Sequence, residues 1–154
     1  MLLRFTVSNY RSILDSVELS MIAIDGDRPA ARTFERLKEK VVPVAGVLGP
    51  NASGKSNLLH ALTWLSNAVR LSLRQWGETI PRDPHRFGDG VNRSSRFELD
   101  FMANEVRYTY TLEVDDEQVL YESLFSYPEL RRRVIFERDG ERLHFRRGTE
   151  GQVA

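Results

Sequence analysis

The chain has 154 residues, of which 41% are hydrophobic and 29% charged, as in a globular protein with one core. Its 22 basic and 22 acidic residues cancel, so no global field favours nucleic acid or an anionic membrane as partner. The absence of cysteine excludes disulfides, thiol catalysis and cysteine-ligated metals. Since no apolar run has the length of a signal peptide or a membrane span, we expect a cytoplasmic protein without membrane contact.

The first predicted elements are the two strands of a hairpin, residues 3–7 and 16–23. The second strand alternates apolar and polar residues, and a polar turn, Asn9 to Ser12, separates it from the first. Residues 25–40 then combine glycine and proline with a charged tail. We expect this segment to be an exposed insertion with one or two helical turns at most and no core.

The most informative motif lies at residues 49–56, where G-P-N-A-S-G-K-S matches the phosphate-binding pattern G-x-x-x-x-G-K-[ST] at every position. In such a loop, backbone N–H groups and the positive end of the next helix form a nest for an anion. Lys55 would reach the β- and γ-phosphates, and Ser56 would hold Mg²⁺ through its hydroxyl. The sequence therefore predicts ATP and Mg²⁺ binding by Gly49, Pro50, Asn51, Ala52, Ser53, Gly54, Lys55, Ser56 and Asn57.

The residues around this loop fit the context that the motif requires. Val44 to Leu48 is a short apolar run that predicts a buried parallel strand. After Asn57, apolar residues recur at steps of three and four and predict an amphipathic helix: Leu58, Ala61, Leu62, Leu65, Ala68, Val69 and Leu73. The alternative is a glycine-containing turn that binds nothing, and the match of both motif and context weighs against it.

Downstream of the helix the pattern changes to short strands. Residues 77–95, rich in Gly, Pro, Asp and Arg, are predicted to be a linker between the parts 1–76 and 96–154. Five strands are predicted at 96–102, 106–114, 119–127, 133–138 and 142–146, separated by turn residues such as Asp139-Gly140. They form an antiparallel meander, and their alternating aromatic residues indicate one buried face rather than a platform for stacking bases.

The order of elements differs from that of simple P-loop kinases and small GTPases, in which strands alternate with helices. It resembles the N-terminal lobe of the ABC-type head of SMC, RecF and OLD-family ATPases. Residues 5–12, F-T-V-S-N-Y-R-S, are similar to the F-x-[IV]-x-N-[FY]-[RK]-[SG] motif with which those proteins open, and Asn51 matches an asparagine of their loop. By this resemblance, Arg11 would lie near the nucleotide or the dimer interface; alone, it is an arginine in a turn.

Within that group the chain most resembles bacterial AAA-type ATP-binding proteins related to OLD ATPases, which are often linked to abortive infection and phage defence. The similarity lies in L-S-M at 19–21, the loop with the following N-L-L, Y-E-S-L-F-S-Y-P at 121–128, R-R-R at 131–133 and F-E-R at 136–138. It implies an α/β fold, a P-loop NTPase in the form of a partial ABC-type ATPase head with an antiparallel β meander.

Hydrolysis in this group also requires an acidic Walker B strand, a signature loop from a second subunit and a distal histidine, and none is found here. Asp115 and Asp116 are the best candidate carboxylates, but Asp-Asp-Glu-Gln is a good hairpin turn, and we favour the turn. No catalytic residue is therefore assigned. We expect the front third or so of an ATPase head, truncated or completed by another polypeptide, with little or no turnover by itself.

Three functions remain open. The first is an ATPase in which two heads clamp nucleotide and couple closure to DNA or an effector. The second is a non-catalytic nucleotide-binding or interaction module, and the third, weaker, is a small-molecule P-loop kinase. We expect a homodimer or a completing subunit as partner, and DNA contact by the basic end of the chain is the alternative to a solvated surface there. That end contains Arg131, Arg132, Arg133, Arg138, Arg142, Arg146 and Arg147, and its simplest interpretation is a solvated hairpin face.

Overall fold

The protein is described by a computed structural model of residues 1–145, without the side chains of Leu73 and Gln75. Its main feature is one sheet of seven strands, ordered β2-β1-β3-β4-β5-β6-β7. The strands are β1 (Leu2–Ser8), β2 (Val17–Ser20), β3 (Ser95–Ala103), β4 (Val106–Val114), β5 (Val119–Ser126), β6 (Arg133–Asp139) and β7 (Arg142–Phe145). One α-helix, α1 (Lys55–Gln75), and two short 3-10 turns, Gly90–Asn92 and Pro128–Leu130, complete the described elements. Arg146 and Arg147 lie outside the described residues.

The predicted hairpin and meander are confirmed. β1 pairs antiparallel with β2, with Val7 opposite Val17. Strands β3 to β7 form at the five predicted places and pair in sequence order, each antiparallel to the next. The β6–β7 turn places Gly140 at a φ of +54°, a left-handed conformation that glycine adopts without steric cost.

The main core lies between α1 and one face of the sheet. Leu58, Ala61, Leu65 and Ala68 are buried along the helix at steps of three and four, as the sequence predicts. Val69, which the predicted stripe included, is 59% exposed, so the buried stripe is narrower than predicted. The helix packs against apolar side chains of β1, β3 and β4: Phe5, Val7, Phe97, Leu112 and Val114.

The prediction of a buried parallel strand before the loop is wrong for the described residues. Val44 to Leu48 has no secondary structure, and Val44 and Leu48 are 80% and 94% exposed. A parallel strand needs a parallel neighbour, and every strand pair in residues 1–145 is antiparallel. The predicted α/β class is thus met only in part, by an antiparallel sheet with one helix.

The insertion at residues 25–40 also differs from the expectation. It contains no helical turn, and it contributes to a small second core. Leu37 and Val41 are buried there against Leu3 and Met102. The backbone N–H of Val42 donates to the carbonyl oxygen of Met21 at 2.8 Å, which joins the end of this segment to the residue after β2. Its apolar residues therefore cover the face of β1 and β3 that carries Leu3 and Met102, opposite to the face that packs against α1.

The sequence suggested that the aromatic residues of the meander share one face of the sheet. In the structure they lie on both faces. Tyr110 lies opposite Leu124 and faces the α1 side, where both residues line the same cavity. Phe125, the next residue along β5, points to the opposite face and is buried beneath Arg132, whose guanidinium lies 3.8 Å from the ring centroid. Since side chains alternate along a strand, these aromatics serve both faces.

The segment predicted as a linker is fixed to the rest of the fold by Asn9. This side chain is 1% exposed, and its Nδ2 donates to the carbonyl oxygens of Gly90 at 2.8 Å and Arg93 at 2.7 Å. Its Oδ1 accepts the backbone N–H of His85 at 3.0 Å. Residues 85–94 are therefore held against the β1–β2 turn and do not divide the chain into two units.

Asn9→Ala tests the importance of these bonds. The substitution leaves buried carbonyl and N–H groups without partners, and we expect it to lower the free energy of unfolding by about 2–4 kcal/mol. Asn104→Ala is the matched control, because both asparagines have a positive φ, +50° for Asn9 and +47° for Asn104. Unlike Asn9, Asn104 is exposed, in the β3–β4 turn. Its expected cost is about 1 kcal/mol, from backbone strain alone. Equal losses in chemical denaturation would contradict the assigned role of Asn9.

Candidate functional site

The phosphate-binding motif forms a tight loop that leads directly into α1. Gly54 precedes the helix with a φ of +87°, and Ala52 also has a positive φ, +62°. The first hydrogen bond of the helix runs from the N–H of Asn57 to the carbonyl oxygen of Gly54 at 2.9 Å. The N–H groups of Lys55 and Ser56 precede that bond and lie at the positive end of the helix dipole. This end of α1 can therefore receive an anion.

Lys55 places its positive charge on the loop. Its Nζ donates to the carbonyl oxygens of Gly49 at 2.9 Å and Pro50 at 2.5 Å, with Ser53 Oγ at 3.4 Å. These bonds are exposed to solvent, so an anion can replace the carbonyl oxygens as acceptor. A Cβ at position 49 would lie 3.0 Å from Ser53 Oγ, so a side chain there would require the Ser53 side chain to shift.

The loop residues line a cleft of about 660 Å³ against the β1–β2 turn. Of the predicted site residues, Gly49, Pro50, Ser53, Gly54 and Lys55 line it. Asn51 and Ser56 are exposed beside these residues, which leaves the Ser56 hydroxyl open to a cation. Asn57 donates from Nδ2 to Ser12 Oγ at 2.7 Å, which joins the start of α1 to the turn.

Arg11, the remaining predicted residue, lies in this turn with a φ of +52°. Its Nε donates to Asp83 Oδ2 at 2.9 Å, and its backbone N–H donates to the carbonyl oxygen of Asp83 at 2.7 Å. The next residue, Ser12, borders the loop, since a Cβ on Gly54 would lie 3.0 Å from Ser12 Oγ. The structure thus brings Arg11 close to the loop in the fold but pairs it with Asp83.

Sequence reasoning missed the contribution of residues 82–87, which it treated as a linker. His85 Nδ1 lies 2.9 Å from the carbonyl oxygen of Arg11, and a carbonyl can only accept, so Nδ1 carries the proton. Arg82, with a 2% exposed side chain, pairs with Asp116 and donates to the carbonyl oxygen of Arg93. The available signal was the mixture of charged and aromatic residues in R-D-P-H-R-F, which is unusual for a simple linker.

Asp115 and Asp116 belong to the β4–β5 turn, as predicted, and not to an acidic strand. Asp115 Oδ1 accepts the N–H groups of Glu117 and Gln118 at 2.8 and 2.7 Å. Burial acts to raise the pKa of Asp115, but these hydrogen bonds outweigh it and hold the pKa below its ordinary value. Both carboxylates are therefore used by the turn and by Arg82.

The remaining candidate residues from the sequence are the three histidines and the arginines of the basic end. In residues 1–145 no group of three or more histidine or acidic side chains could hold a metal ion. Within the same range, no helix has the length and apolar character needed to cross a bilayer. Three arginines of the basic end have partners within the chain: Arg132 on Phe125, Arg133 with Glu129 and Arg138 with Glu122.

A larger cavity, of about 750 Å³, lies between the C-terminal half of α1 and the sheet. Its walls are mostly apolar, including Trp76, Leu99 and Phe136. Its polar groups already bond one another, since the Tyr110 hydroxyl donates to Glu122 at 2.8 Å. We interpret this cavity as part of the sheet face that α1 leaves uncovered, and not as the site of chemistry.

Comparison with known proteins gives one family. The chain matches, over residues 44–143, the family model described as "AAA domain, putative AbiEii toxin, Type IV TA system". No curated protein sequence matches the chain. The family is of the P-loop ATPase type, which binds nucleotides and generally uses ATP with Mg²⁺. Because the match spans more than half of the 154 residues, the chain belongs to this AAA-domain family.

Proposed function

We propose that residues 49–56 are a Walker A loop that binds the phosphates of ATP together with Mg²⁺. The observation that carries this proposal is the position of the Lys55 ammonium, on the loop carbonyls at the N-terminal end of α1. A phosphate oxygen is a charged acceptor, and its hydrogen bonds to an ammonium group are stronger than those of a carbonyl. Binding would therefore transfer Lys55 from Gly49 and Pro50 to the β- and γ-phosphates.

The neighbouring residues take complementary parts in this proposal. The N–H groups at the start of α1 donate to the phosphates, since the helix itself leaves them without partners. Ser56, exposed on the first turn, offers a hydroxyl oxygen of the kind that Mg²⁺ prefers. Asn51 and Asn57 flank the phosphates, and Arg11 acts near the nucleotide or at an interface between two copies.

We further propose that the chain is a lobe of an ABC-type head, related to SMC, RecF and OLD ATPases, that acts in phage defence or on DNA. The exposed apolar run from Val44 to Leu48 supports this, because it has the composition of a buried strand but pairs with no strand in residues 1–145. A second copy or a completing subunit would pair with it. Hydrolysis then depends on acidic and signature groups from that partner.

A non-catalytic nucleotide-binding or interaction module is the second candidate. It is favoured by the turn at Asp115 and Asp116, which leaves the described residues without an acidic strand to position water. The two candidates are distinguished by the rate of ATP hydrolysis, measured for the chain alone and with its partner. The first candidate predicts hydrolysis with the partner, and the second predicts none. For the chain alone we expect little or no phosphate release.

Lys55→Ala tests the binding site. Removing the ammonium group removes a charge-assisted contact to the phosphates, and we expect MgATP to bind about 10- to 100-fold more weakly in calorimetry. Lys38→Ala is the matched control, because Lys38 is an exposed lysine of the insertion. It should bind MgATP like the parent. Unchanged affinity in Lys55→Ala, with a normal melting curve, would contradict the Walker A assignment.

Gly54→Ala tests the conformation of the loop. The new methyl group meets Ser12 Oγ at 3.0 Å and a φ of +87° disfavours it, so we expect weaker MgATP binding and a loss of about 1–2 kcal/mol in stability. Gly140→Ala shares a positive φ, +54°, but its methyl group enters open space. It should lose about 1 kcal/mol of stability, by strain alone, and keep full affinity. Weakened ATP binding by Gly140→Ala would count against a local role for Gly54.

A further inference from the structure

A small cavity lies next to the phosphate cleft and shares a wall with it. It has a volume of about 320 Å³ and is formed by the β1–β2 turn and residues 83–87. Ser12 lines both cavities, and its Oγ accepts from Asn57 at the start of α1. A ligand whose charged end lies on the loop can therefore extend across Ser12 into this second space.

The direction of a bound nucleotide follows from two markers. Lys55 Nζ, which would hold the terminal phosphates, lies at Gly49 and Pro50. The contact between Asn57 and Ser12 marks another border of the same cleft, and beyond it lies the small cavity. With the terminal phosphates at Lys55, the nucleoside would leave the cleft past Ser12.

The small cavity presents an aromatic surface that no other part of the described chain covers. Phe87 is 77% exposed, so most of its ring surface is open to a ligand. The ring of His85 lies beside it, with 5.7 Å between centroids. An exposed aromatic face of this kind stacks on a nucleobase without regard to its hydrogen-bonding pattern.

The floor beneath this aromatic pair is held in place by hydrogen bonds. Asp83 accepts from the side chain and the backbone of Arg11, and His85 bonds to Arg11 through Nδ1 and to Asn9 through its own N–H. These contacts fix residues 83–87 on the β1–β2 turn before any ligand arrives. A preorganised surface loses little conformational entropy when it binds.

We propose that Phe87, with His85 beside it, is the stacking surface for the base of the bound nucleotide. This inference rests on the proposed function, because the phosphates must lie on residues 49–56 for the base to reach Phe87. It assigns to the segment 83–87 the discrimination between a nucleoside triphosphate and inorganic polyphosphate. Arg11 and Asp83 then act as positioning residues that hold the surface.

The test compares magnesium complexes of ATP and of inorganic tripolyphosphate as ligands of the 154-residue chain. Phe87→Ala should weaken ATP binding by about 5- to 100-fold, since that is the usual effect of losing one base stack. It should leave tripolyphosphate affinity unchanged, because no phosphate contact is removed. Phe87→Tyr should retain the affinity of the parent for ATP. Phe145→Ala, which removes an exposed phenylalanine from β7, is the control and should affect neither ligand.

Each contrary result has one meaning. Normal ATP binding by Phe87→Ala, together with weak binding of both ligands by Lys55→Ala, would overturn this inference and leave the proposed function intact. Equal weakening of ATP and tripolyphosphate by Phe87→Ala would also overturn it, because the loss would then lie in the loop. If the parent binds neither ligand, the proposed function fails and this inference fails with it.

Discussion

The buried side chain of Asn9 is the interaction on which the arrangement of this site depends. One amide group bonds the carbonyl oxygens of Gly90 and Arg93 and the N–H of His85. It thereby holds a long irregular segment against the turn that contains Arg11 and Ser12. An amide can do this because it carries donors and an acceptor on one short side chain, and burial makes each unsatisfied group costly. The asparagine of the opening motif is thus an architectural residue before any nucleotide is considered.

The sheet and the helix give this turn a rigid base. The apolar stripe of α1, from Leu58 to Ala68, packs on β1, β3 and β4, so the first residues of the helix are fixed relative to the β1–β2 turn. The loop is anchored on its C-terminal side by α1, and the hydrogen bond between Asn57 and Ser12 joins the start of that helix to the β1–β2 turn. Its own chemistry, a lysine on carbonyl oxygens and N–H groups at a helix end, is that of an anion receptor.

The apolar run before the loop is a part of the described chain that is exposed and pairs with no strand. Val44 and Leu48 are largely exposed, and every strand pair in residues 1–145 is antiparallel. Contiguous exposed apolar residues mark interaction sites on soluble proteins, and we propose a second copy or a completing subunit as the partner here.

The sequence by itself determined the elements whose signals are local. The loop motif, the period of α1 and the alternation of the meander strands each lie within a few residues, so the hairpin, the helix and the five strands could be predicted. Tertiary structure decided the features that depend on distant partners. The composition of Val44 to Leu48 predicts a strand, but a strand forms only where another strand hydrogen-bonds to its backbone. Leu37 is buried, and residues 83–87 lie beside the loop, because of contacts with Met102 and Asn9 that no local pattern records.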